Sequence, residues 1–312
     1  ALMIPILLGV SIITFAVTAA SGSPFDTLEL NPRIKPQDIQ NIKHNLGLDK
    51  PILERYFIWL SHVVRGDFGR SLITYQPVRD RILEVMPNTL MLSGISVFLA
   101  FFLALPIGIL AAVKRNSIFD RFATTSAVAG FAIPTVWLGL LLIILFAVKF
   151  NHWGLPSLPV GGVRNLRGNG GLWDRIVHLV LPITALTIPQ LAGWIVYVRS
   201  SMLEVIRQDY IRTAQSKGLK ERTVLYVHGF RNALLPLVTL IGLSIPDVFG
   251  GSLVVENVFA YPGMGRLTID SVGNKDYTMV MGTTIFFAIL VIIGNLIADI
   301  LYVALDPRIK LD

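Results

Sequence analysis

The sequence predicts an all-α membrane protein with six transmembrane helices, and three observations carry that prediction. Hydrophobic residues make up 53% of the 312 and charged residues only 15%, against about 25% charged in an average soluble domain. Mean hydropathy is +0.65, and several apolar runs reach the roughly 20 residues needed to cross a bilayer. The basic residues gather in segments flanking those runs, so the net charge of +7 reads as a topology signal rather than a nucleic-acid one. The chain has no cysteine, which excludes disulfides and thiolate chemistry within it.

Taken in order, residues 1–20 form an apolar run of spanning length. Ala19-Ala20-Ser21 would suit signal cleavage, but no basic stretch precedes the run, so it is read as transmembrane helix 1. Residues 21–86 are a polar segment whose nine Lys/Arg nearly balance eight Asp/Glu. Within it Pro36–Asn45, Pro51–Arg65 and Pro77–Met86 each show an amphipathic helical pattern with proline in the first turn. Five further spans are expected at about 88–113, 122–149, 176–198, 234–256 and 279–303, so residues 87–312 form the core bundle. Between two of them, Asn151–Gly171 is rich in Gly and Pro and reads as a loop with Trp153 and Trp173 at interface depth.

Orientation follows from the short connections. Segment 114–121 carries three Lys/Arg and 199–231 carries seven, with Arg308 and Lys310 in the tail. On the other side, 150–175 has three and 257–278 has two. The positive-inside rule therefore places loop 199–233 and both termini in the cytoplasm, and 21–86 outside.

The cytoplasmic loop has a pattern of its own. Asp209 suits an N-cap, residues 210–217 a short helix, and Gly218 a turn at positive φ, with a second helix from about Lys220 toward Pro236. Such an elbow is short and stiff, and Thr213, Ala214 and Ser216 are small enough to let another surface approach closely.

Thr213-Ala214, three residues, Gly218 and a downstream Leu235-Pro236 resemble the cytoplasmic "EAA" loop of ABC importer permeases. Asp209 to Leu219 and Arg231 to Pro236 look like its dipeptide/oligopeptide branch, as do Leu46-Gly-Leu-Asp-Lys-Pro51, Gly66-Asp-Phe-Gly-Arg-Ser71 and Asn257 to Leu267. Arg212 and Thr213 stand where the general pattern has Glu and its first Ala. The resemblance implies a cytoplasmic coupling helix that inserts into an ATPase subunit, carried by Asp209, Tyr210, Arg212, Thr213, Ala214, Lys217, Gly218, Leu219 and Glu221. It also implies a second, homologous permease, two cytoplasmic ATPases that hold ATP and Mg, and an extracytoplasmic substrate-binding protein. The setting it implies is a prokaryotic plasma membrane, and the cargo is peptide-like. Nickel, glutathione and oligosaccharide importers share these motifs.

The chain carries no chemistry that would replace those partners. It has no phosphate-binding Gly-x-x-x-x-Gly-Lys-Ser/Thr loop, no His-Glu-x-x-His and no Gly-x-Ser-x-Gly, so no cofactor or metal is expected here. Its five histidines do not cluster at ligand spacing, and a membrane hydrolase is disfavoured. A self-sufficient secondary transporter would need ion-coupling residues in several spans, and few are present. Asp247 lies about 4 Å from the middle of its expected span, where a carboxylate costs roughly 2.5–3.5 kcal/mol. Pro246 and Gly250-Gly251 weaken the same helix, so Asp247 is a candidate for the translocation path. Gln190, beside Pro189, and Asn295 are further candidates, although either also suits bonding between helices.

Overall fold

The computed structural model describes residues 3–21, 37, 40, 49–165, 170–218 and 252–305, and every regular element among them is helical. The order is α1 Met3–Ala20, α2 Ile52–Val64, α3 Val78–Val113, α4 Ile118–Ala132 and α5 Thr135–Leu142. Then come α6 Leu172–Ile206, α7 Asp209–Ser216, α8 over 252–258, α9 Met264–Gly273 and α10 Tyr277–Leu305. Five stretches among the described residues are long and apolar enough to cross a membrane: Met3–Ala20, Val78–Val113, Thr135–His152, Leu172–Ile206 and Tyr277–Ile297. Most of the expected span 234–256 lies outside the described residues.

The chain divides into two compact units. One comprises residues 1–87 and 263–292. Its larger core gathers Val78, Ile82, Val85, Met264 and Met279, with Phe68, Leu267 and Phe286 against them. Helix α10 opens at Asp276, whose carboxylate accepts from the amides of Leu72 at 3.0 Å and Met279 at 3.3 Å and from the Ser71 hydroxyl. The Met279 bond caps the helix. The other two fasten the turn at 71–74, where the amide of Thr74 also donates to Ser71 Oγ at 2.9 Å.

The second unit comprises residues 88–262 and 293–312. Its main core is Leu92, Leu138, Leu142, Leu181, Leu186 and Phe259, joined by Val255 and Tyr261. Helices α3 and α6 approach closely at Gly108, where an added Cβ would sit 2.7 Å from Val198 Cβ. Small residues allow this contact between backbones in a membrane bundle, where packing rather than water exclusion drives association.

Three expectations change. The amphipathic stretch Pro77–Met86 is not a separate helix, because α3 runs unbroken from Val78 to Val113 through Pro87 and Pro106. A proline removes one helical bond, and in an apolar setting neighbouring groups make good the loss. The expected span 122–149 is instead two helices. Ile133 is extended at φ −77°, ψ 120° and Pro134 caps α5, because proline disfavours helical geometry in the residue before it. Beyond α5 the chain winds with π geometry through Ile143–Lys149. The segment 257–278, expected as a loop, contains α9.

Candidate functional site: the elbow at the end of the long helix

Helix α6 has 35 residues, about 52 Å at 1.5 Å per residue, which exceeds the roughly 30 Å of a hydrocarbon core. It holds Pro182 and Pro189 in its interior, and its last turns from Arg199 mix polar residues with Met202, Leu203, Val205 and Ile206, which pack with Ile109 and Val198. The backbone N–H of Arg207 donates to Glu204 O at 3.2 Å and that of Gln208 to Val205 O at 3.1 Å, which closes the helix. Only Arg207 and Gln208 separate α6 from α7, so the short helix is carried directly on the end of the long one.

The Gln208 carbonyl accepts the first bonds of α7, from Ile211 N at 3.1 Å and Arg212 N at 3.4 Å. Asp209 therefore sits inside the first turn and not at the N-cap expected from sequence. It still carries negative charge at the favourable end of the helix dipole. Its carboxylate lies 3.8 Å from Arg212 Nη1, with the two side chains 98% and 73% exposed. Ion pairs this exposed contribute little, which leaves both charges free to meet another surface.

The outward face of α7 and its exit presents Tyr210, Arg212, Thr213, Ser216, Lys217 and Gly218. The Thr213 hydroxyl donates to Asp209 O at 2.9 Å and that of Ser216 to Arg212 O at 3.0 Å, so both side chains lie flat on the helix. The inward face is Ile211, fully buried, with Ala214 beside it. Ala214 is thus not among the small residues open to a close approach. Three residues after Ile211, it falls on the same face and packs within the chain. Gly218 follows at φ +72° with none of the described residues within 4 Å of where a Cβ would be, so among them it is the backbone that demands glycine there. Leu219 and Glu221 lie outside the described residues, as does Asp247.

Behind the elbow, Arg199 holds Asp120 at the start of α4. Its Nε donates to Asp120 Oδ1 at 2.5 Å and its Nη2 to Oδ2 at 2.9 Å. Asp120 is buried and also accepts from Asn116 N at 2.8 Å and Thr124 Oγ1 at 3.3 Å. The hydrogen bond from Arg199 is the main cause that holds its pKa down to about 2. Sequence reasoning missed this pair. The available signal was Ser117-Ile-Phe-Asp120, a capping-box spacing, and Ser117 Oγ does accept from Asp120 N at 3.2 Å.

Gln190 lies in α6 and Asn295 in α10, and among the described residues no hydrogen bond joins them. Gln190 Oε1 is buried without a hydrogen-bond partner among the described residues. A second missed acid is Glu256, fully buried in α8, which accepts from Thr89 Oγ1 at 2.7 Å. Beside it Asn88 Nδ2 donates to Pro262 O at 2.7 Å. The Tyr261 hydroxyl is pushed up to about 12, by burial first and by the Glu256 charge second. Among the described residues no cluster of side chains suits a metal ion.

Long apolar helices, one of them continued into a short elbow, are the architecture of a membrane-embedded protein. Residues 104–311 match the family described as binding-protein-dependent transport system inner membrane component, and residues 1–93 match the N-terminal component of such systems. The chain belongs to this family and is a multi-pass inner-membrane permease subunit. It is 44% identical over 309 residues to the oligopeptide transport system permease protein AppB of Bacillus subtilis, covering 98% of this chain and 96% of that one. The dipeptide permease DppB of Escherichia coli is 36% identical over 329 residues, covering 99% and 96%. The glutathione permease GsiC of the same species is 37% identical over 309 residues, with the same coverage. Among solved structures, a chain of the inward-facing methionine ABC transporter MetNI aligns at TM-score 0.56 and 19% identity, over 72% of this chain and 96% of that one. That likeness concerns the fold alone.

Proposed function

We propose that this chain forms half of the translocation path of an ATP-driven importer of di- and oligopeptides. It works beside a second permease, with two cytoplasmic ATPases and an extracytoplasmic substrate-binding protein. The observation that carries the reading is the elbow, a short helix mounted directly on the end of α6, with Tyr210, Arg212, Thr213 and Ser216 exposed, and closed by Gly218 at φ +72°. Likeness to AppB along nearly the whole chain supports peptides as cargo. ATPase closure moves α7 and α6 carries the motion into the bundle, with Tyr210, Arg212, Thr213 and Lys217 facing the ATPase. A bound partner shifts such an equilibrium only by holding one state more tightly than the other. Asp247, Gln190 and Asn295 are the candidates for the path. Glutathione is the second cargo to consider, because a glutathione permease is 37% identical.

The test is ATPase activity of the complex purified with its co-encoded subunits and reconstituted in vesicles. Binding protein loaded with peptide should stimulate hydrolysis and drive uptake, and binding protein loaded with glutathione should do so less. The coupling role is tested by Gly218→Val, whose Cβ would have none of the described residues within 4 Å but which forces a β-branched residue to positive φ. The expected outcome is an assembled complex with ATPase activity and most transport lost. Normal transport by Gly218→Val would remove the elbow from the mechanism.

A further inference from the structure

Helix α2 lies in the segment that the sequence assigns to the outside, yet its contacts are with the interior of a membrane span. The Tyr56 hydroxyl is 2.8 Å from Ser11 Oγ, and the rings of Tyr56 and Trp59 lie 5.4 and 5.9 Å from that of Phe15. Ser11 is nine residues from Ala20 and Phe15 is five, so they sit about 14 and about 8 Å inside the end of α1. That end is close to the edge of the hydrocarbon, because the apolar run stops at Ala20 and the polar segment 21–86 follows it. The ring contacts with Phe15 therefore set α2 within the depth where interfacial helices lie, about 5–10 Å into the boundary of headgroups and acyl chains, and the Tyr56 hydroxyl reaches deeper to Ser11.

Its side chains sort in the way that depth requires. At 3.6 residues per turn, Tyr56, Trp59, Leu60 and Val63 form the face toward α1 and its neighbours. Adjoining them is a second apolar stripe that none of the described residues covers: Leu53 is 72% exposed, Phe57 63% and Val64 80%. The opposite arc carries Glu54, Ser61, His62 and Arg65, with Ile58 its one apolar member. Arg55 stands at the border, its guanidinium 6.0 Å from the centre of the Phe15 ring, a position from which a long side chain reaches water. At the same level α1 also exposes Ile12, Ile13 and Val17.

We propose that α2 is an interfacial membrane helix, with Leu53, Phe57 and Val64 buried in the lipid acyl chains of the leaflet at the Ala20 end of α1. Thirteen residues are too few to span, so α2 lies along the surface and ties the segment after α1 to the bilayer.

The absence of cysteine makes the test direct. Phe57→Cys, Val64→Cys and Arg65→Cys each take a nitroxide label in the complete transporter, reconstituted in phospholipid vesicles with cysteine-free partner subunits. Collision rates are then measured with oxygen, which concentrates among acyl chains, and with a water-soluble nickel chelate. The ratio of oxygen to nickel rates should be several-fold higher at positions 57 and 64 than at 65. Equal ratios at all three positions would place the stripe in water and overturn the proposal. Exclusion of both reagents at 57 and 64, with an immobilised spectrum, would also overturn it and assign the stripe to a protein neighbour.

Discussion

At the scale of single residues, the Asp120–Arg199 pair is the arrangement from which the most follows. Asp120 is buried and Arg199 is 22% exposed, so removing one partner leaves a charge that water compensates only in part. Losses for buried pairs broken this way are about 3–5 kcal/mol, and the exposure of Arg199 argues for the lower end. Asp120→Asn should thus lower stability by about 3 kcal/mol at neutral pH, read as the thermal midpoint of the purified complex. The pH dependence follows from the depressed carboxylate, which falls from an ordinary 3.8 to about 2. A lowered folded-state pKa stabilises above the unfolded value and loses that contribution as protons are taken up. The pair's stabilisation should be constant down to about pH 4 and fade toward pH 2. Asp120→Asn should remove that part of the acid dependence. An unchanged acid profile in Asp120→Asn would show that the pair contributes nothing. Arg199→Lys should fall between, because lysine keeps the charge but loses the two-pronged geometry.

At the scale of elements, glycine separates helix contacts from open helix surface. An added Cβ at Gly108 would lie 2.7 Å from Val198 Cβ and Cγ1 and 3.0 Å from Ile195 O, whereas at Gly94 it meets nothing within 4 Å. Both residues lie inside α3, so helix propensity favours alanine equally, by about 1 kcal/mol. Gly94→Ala should leave stability unchanged or raise it by up to that amount. Gly108→Ala should lower it by about 1–3 kcal/mol, the range for overpacked contacts, because α3 and α6 must move apart. Equal thermal midpoints for the two variants would contradict the close approach. Elements of this kind also mark the limit of what the sequence conveys. The expected spans 1–20, 88–113, 176–198 and 279–303, together with α2, α7 and the positive φ at Gly218, were legible because each depends on a few adjacent residues. Prolines were not, since Pro87, Pro106, Pro182 and Pro189 are carried within helices while Pro134 breaks one. Periodicity cannot supply the tertiary support that decides between these outcomes. The Asp120–Arg199 pair spans 79 positions, and Ala214 looks outward by size but turns inward with Ile211. Both depend on packing that no local pattern encodes.

At the scale of the whole molecule, topology is the property on which the importer reading depends, and α6 allows it to be tested with described residues alone. Arg164 is exposed before α6 and Lys217 is exposed after it, with no other long helix between them. If α6 crosses the bilayer, the two positions must lie on opposite sides whatever the rest of the chain does. The charge distribution says which side is which: seven Lys/Arg in 199–231 against three in 150–175 place Lys217 in the cytoplasm. Cysteine at Lys217 should react with a membrane-impermeant maleimide only in inverted vesicles, and cysteine at Arg164 only in intact cells or spheroplasts. Reaction of both from one side would mean that α6 does not span, and the elbow would lose its lever. Reaction of each from the side opposite to that expected would keep the lever but put the elbow outside, where no cytoplasmic ATPase reaches it. Only the expected pattern leaves α7 facing the compartment that holds ATP.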